Sequence, residues 1–203
     1  MHCSASVERL RVRAWPAVWL AVCSLLLVIT EPSTSAPDEV EAGFDIHNAR
    51  TRLVDGVYLL DADISFVFSE DALEAIDNGV PVTIILEMQV YRERSFIWDK
   101  EIAALDAKLR IETRPLSKTY LLRNLNSGET QVYASFDELV VGLGKIRNFP
   151  LIDEHLIGDP NRHYLRLRAL LDIESLPSPM RPLAYLSSLW RLQSDWYEWP
   201  IER

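Results

Sequence analysis

The sequence has only two cysteines, Cys3 and Cys23, and both lie among its first 23 residues. Everything beyond residue 36 is therefore free of thiols. That excludes a disulfide framework, a zinc–thiolate site and a cysteine nucleophile from this part. Glycine is scarce too, with seven residues, and none stands in a phosphate-cradling loop or beside a serine elbow. Beyond residue 36 there are three histidines, His47, His155 and His163, and none has metalloprotease spacing. Positive charge is also short, with 21 Lys+Arg against 30 Asp+Glu. Without residues 1–36, which hold Arg9, Arg11, Arg13, Glu8 and Glu31, the balance becomes 18 against 28, or −10. Such a surface repels phosphate backbones, so no nucleic-acid partner is expected.

A long apolar run is missing as well. The best, residues 15–29, is interrupted at Pro16 and is shorter than the roughly 20 residues of a spanning helix. What surrounds it is informative. Arg9, Arg11 and Arg13 precede it, and Glu31-Pro-Ser-Thr-Ser-Ala36 follows. A basic start, a short apolar core and small residues beyond make an export signal. Cutting after Ser35, with Ser33 as the second small residue, avoids Pro37 in the position after the cut. The alternative is an uncleaved anchor, with the three arginines held on the inner side. A lipoprotein reading through Cys23 is disfavoured, because Val22 is too large and Cys23 lies inside the apolar run. The expected division is residues 1–36 as signal peptide or membrane anchor, 37–43 as a tether, and 44–203 as a single β-rich domain. The expected location is the periplasm, either free or held to the inner membrane by residues 15–29.

Strand alternation dominates from Phe44 onward. Residues 44–54 and 57–68 flank Asp55-Gly56, the turn pair that matches hairpin twist. Tyr58, Leu60, Ala62, Ile64, Phe66 and Phe68 share one face, with Asp61, Asp63 and Ser65 on the other. Ser69 caps a helix over 70–78, acidic at its start and stopped by Gly79. Strands follow over 80–91 and around 105–112, with Phe96-Ile97-Trp98 expected to resume the first of them. Residues 120–125 and 130–134 bracket Asn126-Ser-Gly-Glu129 as a hairpin. Ser135-Phe-Asp-Glu138 is a capping box that opens a short helix, ended by Gly142 and Gly144. A loop is expected from there through Pro150, Gly158 and Pro160, then a strand over 164–173. Pro177, Pro179 and Pro182 forbid ladder pairing beyond it. The expected fold is mainly β: an antiparallel β-sandwich of about seven strands with two short helices and an irregular aromatic C-terminal tail.

Few groupings carry chemistry. Asp153, Glu154, His155, Asp159, Asn161 and His163 crowd one loop, and His155, Asp159 and His163 are the candidate metal ligands there. A solvated turn at Asp159-Pro160-Asn161 explains the same residues, so no metal or other cofactor is expected. Asp61 and Asp63 could act as paired carboxylates, though residues alternating with a core face are ordinarily just wet. Trp190, Trp196, Tyr197 and Trp199 could form a binding patch for a partner or the membrane interface. The preferred reading is that they fold back and close the sandwich, with Asp195, Glu198 and Arg191 spaced to keep a wet outer side.

Several segments together resemble a bacterial family of exported proteins, the domain-of-unknown-function 4390 family. They are Ala72-Leu-Glu-Ala-Ile-Asp-Asn-Gly-Val-Pro81, residues 94–98 and 120–122, Ser135-Phe-Asp-Glu138, Arg168-Ala-Leu-Leu-Asp172 with Leu176-Pro177, and the tail from Leu186-Ser-Ser to Trp190-Arg-Leu and Trp196. The resemblance covers nearly all of the chain beyond Phe44. It implies an envelope protein of a Gram-negative bacterium, with an accessory role linked to two-component sensing, and it brings no catalytic residues. The leading expectation is a non-enzymatic binding or accessory domain with an envelope protein partner, touching the membrane through its N-terminal segment if that is uncleaved. A hydrolase or metal-dependent enzyme using the 153–163 loop, and a lipid or small-ligand binder, are the alternatives.

Overall fold

The computed structural model describes residues 41–201. The signal or anchor, Cys3, Cys23 and most of the tether lie outside them.

Asp55 and Gly56 take φ of 49° and 81°, the left-handed pair that a twisted two-residue hairpin needs. They join β1 (Gly43–Val54) to β2 (Val57–Val67), which pair in antiparallel register from Val54↔Val57 to Gly43↔Val67. A third strand, β7 (Lys145–Asp153), pairs with the other side of β2. This is a correction, since residues 145–153 read as loop. The strand is masked in the sequence by Asn148, at φ 54°, and by two register shifts against β2. Both destroy the period of two. Pro150 is tolerated because β7 is an edge strand.

The second sheet has six antiparallel strands in the order β6-β5-β4-β3-β8-β9. They are β3 (Val82–Arg92), β4 (Lys100–Arg114), β5 (Thr119–Asn124), β6 (Thr130–Tyr133), β8 (His163–Leu171) and β9 (Tyr197–Pro200). The described residues thus form nine strands, the additions to the expected set being β7 and β9. Ile64 and Phe66 from one sheet and Ile84, Leu86, Leu109 and Leu167 from the other belong to a single buried cluster. The two sheets therefore face each other across one core, which makes the fold a sandwich-like mainly β domain.

Two eight-residue helices, α1 (Glu70–Asp77) and α2 (Phe136–Leu143), start at the expected serine caps. Ser135 Oγ accepts from the Glu138 amide at 3.2 Å, while the Glu138 carboxylate reaches back to the Ala134 amide at 3.3 Å. Two shorter helices, α3 (Glu154–Ile157) and α4 (Arg181–Leu186), complete the set among the described residues. Among the described residues no helix is long and apolar enough to cross a membrane.

A second correction concerns Phe96-Ile97-Trp98. These residues do not resume a strand; they form the tip of the loop between β3 and β4 and stand in solvent. The two ends of β3 differ accordingly. Its start follows α1, and its far end carries this loop.

Candidate functional site

A surface hollow lies between α1 and α4, and its construction starts at Ser69. The Ser69 hydroxyl accepts from the Ala72 amide at 3.3 Å, capping α1, and donates to the Leu189 carbonyl at 2.7 Å. One buried serine thus starts the first wall and ties it to the turn that follows the second. Ala72, Ala75 and Ile76 turn inward from α1, leaving Glu70, Asp71, Glu74 and Asp77 exposed. Asp77 accepts from the Tyr120 hydroxyl at 2.9 Å. Among the described residues no cation pairs with Glu70, Asp71 or Glu74.

The second wall is α4. Pro182 sits in its first turn, where a missing N–H costs nothing. Arg181 Nε donates to the Leu176 carbonyl at 2.8 Å, and Tyr185 donates to the Glu174 carboxylate. Ala184 is the buried residue of this helix, so its leucines face out. Leu183 is 70% exposed and Leu186 83%. With Ala75, Val80, Met180 and Trp190 they line a hollow of about 610 Å³, open to solvent and rimmed by Asp71 and Glu74. That size suits a ligand or several partner side chains. A second cleft, between the sheets near Leu86, Leu109 and Leu143, has about 190 Å³ and is below the usual range of roughly 300 Å³ and upward.

Apart from Trp190, the residues singled out in the sequence lie elsewhere. His155 is exposed on α3, and Asp159 caps the turn that follows by accepting from the Asn161 amide at 3.1 Å. His163 is buried, with Nδ1 2.7 Å from the Asp159 carbonyl. Among the described residues no group of three or more His, Cys, Asp or Glu is placed to hold a metal. Trp190 and Trp199 are buried in the core, and Tyr197 packs partly buried against it. Trp196 lies on the outer face of the large sheet, its ring 4.6 Å from both the Arg166 and the Arg168 guanidinium carbons. Of the four aromatic candidates only Trp190 lines the hollow.

Asp61 and Asp63 are not simply wet. Arg147 holds Asp63 in an ion pair. Asp61 is buried and faces Arg52 at 3.4 Å and Arg50 at 3.7 Å. Its Oδ1 accepts from the Asn148 amide at 2.9 Å, in the left-handed kink of β7. That hydrogen bond holds the Asp61 carboxyl below its ordinary range; burial opposes it, and the two arginines add to it. A carboxylate with a lowered folded pKa stabilises the fold above its unfolded value and loses that contribution as pH falls through the folded one. The stability gap between wild type and Asp61→Asn should therefore be constant above about pH 5 and shrink below about pH 4. Urea titrations across that range test this, and a gap that widens toward acid would overturn it.

Leu183 and Leu186 are the site residues that sequence reasoning passed over, because three prolines mark the segment as irregular. The available signal was Pro182 at a helix start with leucines at i and i+3 behind it.

Residues 41–200 match a family model described as a domain of unknown function, DUF4390. No curated protein and no solved structure matches the chain.

Proposed function

We propose, from the premise that this chain belongs to the DUF4390 family, that it is a non-enzymatic accessory domain of the cell envelope. In this reading the hollow between α1 and α4 receives an apolar segment of a protein partner with basic flanks. A fold does not imply a function, so the reading rests on the site. The observation that carries it is the exposure of Leu183 and Leu186 above an apolar floor, beside an acidic ridge with no cation partner among the described residues. Exposed leucines at i and i+3 are a common anchor pattern for a partner segment. Glu70, Asp71 and Glu74 favour positive charge on that partner and disfavour an anionic bilayer. The export pattern of residues 1–36 supports a periplasmic location, with the domain either free or held to the inner membrane by residues 15–29. A link to two-component sensing fits the same place.

Photo-crosslinking in native envelope tests the reading, with a crosslinkable residue at Leu186 or, as control, at exposed Val132. A single envelope protein captured from position 186, and lost with Glu74→Arg, is the expected result. Products identical from both positions would overturn it.

A further inference from the structure

Phe96 is 99% exposed and Trp98 95%. Apolar side chains scattered singly over a surface are ordinary, but two almost fully exposed aromatic rings separated by Ile97 on one loop tip are not. The base of this loop is fixed. The Glu93 amide donates to the Arg162 carbonyl at 2.8 Å, and the Arg162 guanidinium donates to the Glu93 carbonyl at 3.3 Å. Asp99 accepts from the Arg94 amide and from the Tyr164 hydroxyl, both at 3.0 Å. Tyr164 in turn stacks on Tyr91, with ring centroids 5.4 Å apart. The apolar tip is therefore held out from a braced base, and its exposure does not come from a loose chain.

We propose that residues 96–98 form a membrane-docking tip that inserts into the interfacial layer of a lipid bilayer. Three features select a bilayer over a protein pocket. Tryptophan settles at the headgroup boundary, and phenylalanine and isoleucine beside it supply apolar area that buries just below. All three tip side chains stand mostly in solvent, and a fluid interface accepts them without a matching cavity. Arg92, Arg94 and Lys100 surround the base, level with headgroup phosphates once the tip is in. Insertion stops there, because Asp99 and Glu93 lie directly behind the tip and the loop backbone cannot satisfy itself in hydrocarbon. With Arg162 the base holds four cations, and Glu93, Asp99 and Glu101 offset three of them, so the apolar tip supplies most of the attraction. Anionic lipid should then add only a few-fold to binding. This surface lies at the end of β3 opposite the α1–α4 hollow, so it does not depend on the partner reading.

The test uses the full chain in phosphatidylethanolamine–phosphatidylglycerol vesicles whose lipids carry bromine near the headgroup. The Trp98 signal is obtained as the difference between wild type and Trp98→Phe, which removes any contribution of the N-terminal segment or the other tryptophans. The expected result is a blue-shifted Trp98 emission quenched by the brominated lipid, with both effects lost in the Phe96→Ser, Ile97→Ser variant. An unchanged melting midpoint in that variant shows that the loss is one of docking. A Trp98 emission that stays water-like and unquenched would overturn the proposal. So would quenching that survives the double substitution.

Discussion

Replacing Trp199 with alanine is expected to destabilise the domain by about 3 kcal/mol, the lower end of the range for deleting a core tryptophan. The ring sits on β9 opposite Leu165, 8% exposed, with the Tyr197 ring 6.0 Å away. Its removal leaves a cavity at the edge of the large sheet. The lower end applies because the indole Nε1 is buried without a hydrogen-bond partner among the described residues. Deleting that donor recovers part of its desolvation cost, about 1–3 kcal/mol for a buried polar group. Trp199→Phe removes the donor while keeping most of the ring, and should therefore cost far less. Trp196→Ala loses only the stacking on Arg166 and Arg168, roughly 0.5–1 kcal/mol per exposed contact. Urea denaturation of the three variants checks the order. An unchanged midpoint for Trp199→Ala would show that β9 contributes nothing to the fold.

Gly144→Ala should be about as damaging, with a loss of about 3 kcal/mol, the upper end of what overpacking a well-packed interior costs. A Cβ at Gly144 would meet the Ile64 carbonyl oxygen at 2.3 Å. The Gly144 carbonyl also accepts from the Ile64 amide at 2.9 Å. The end of α2 is thus held against β2 main chain to main chain, and neither side has a rotamer to move. The φ of Gly144 is −73°, so the requirement is for space and has nothing to do with backbone conformation. Gly142→Ala is the contrast. Its Cβ would strike the Tyr133 ring, with the hydroxyl at 2.2 Å, and that side chain can swing toward solvent. Thermal unfolding should place Gly144→Ala well below Gly142→Ala, and equal midpoints would refute the argument.

Most of the sandwich was legible because alternation reports a half-buried strand directly. Tyr58 to Phe66 and Leu165 to Leu171 read as strands and are strands, and Ser69 and Ser135 cap the helices expected of them. Gly142 and Gly144 read as helix stops, but the close approach that demands Gly144 is a tertiary fact with no local trace. The failures share one cause, which is that apolarity was used where geometry decided. Phe96 to Trp98 is apolar enough to read as strand, yet nothing packs on it. In β7 only Leu151 and Ile152 are fully buried, and Asn148 breaks the period that would have announced them. The walls of the hollow were half visible: α1 was expected, whereas α4 was hidden among prolines that normally end structure. The aromatic tail attracted attention by composition, but exposure falls on the leucines beside it.

β3 has the proportions of a spacer. Val80 lines the hollow just before this strand begins, and the Phe96–Trp98 loop follows its last residue. Eleven residues at about 3.3 Å each put roughly 35 Å between the two. If the loop rests on a bilayer with β3 upright, a segment seated beside Leu183 and Leu186 is held up to that far above the lipid surface. The domain then selects partners by height as well as by charge. A membrane protein whose apolar, basic-flanked segment emerges at the headgroups would pass beneath the hollow, and one carried on a stalk of matching length would meet it.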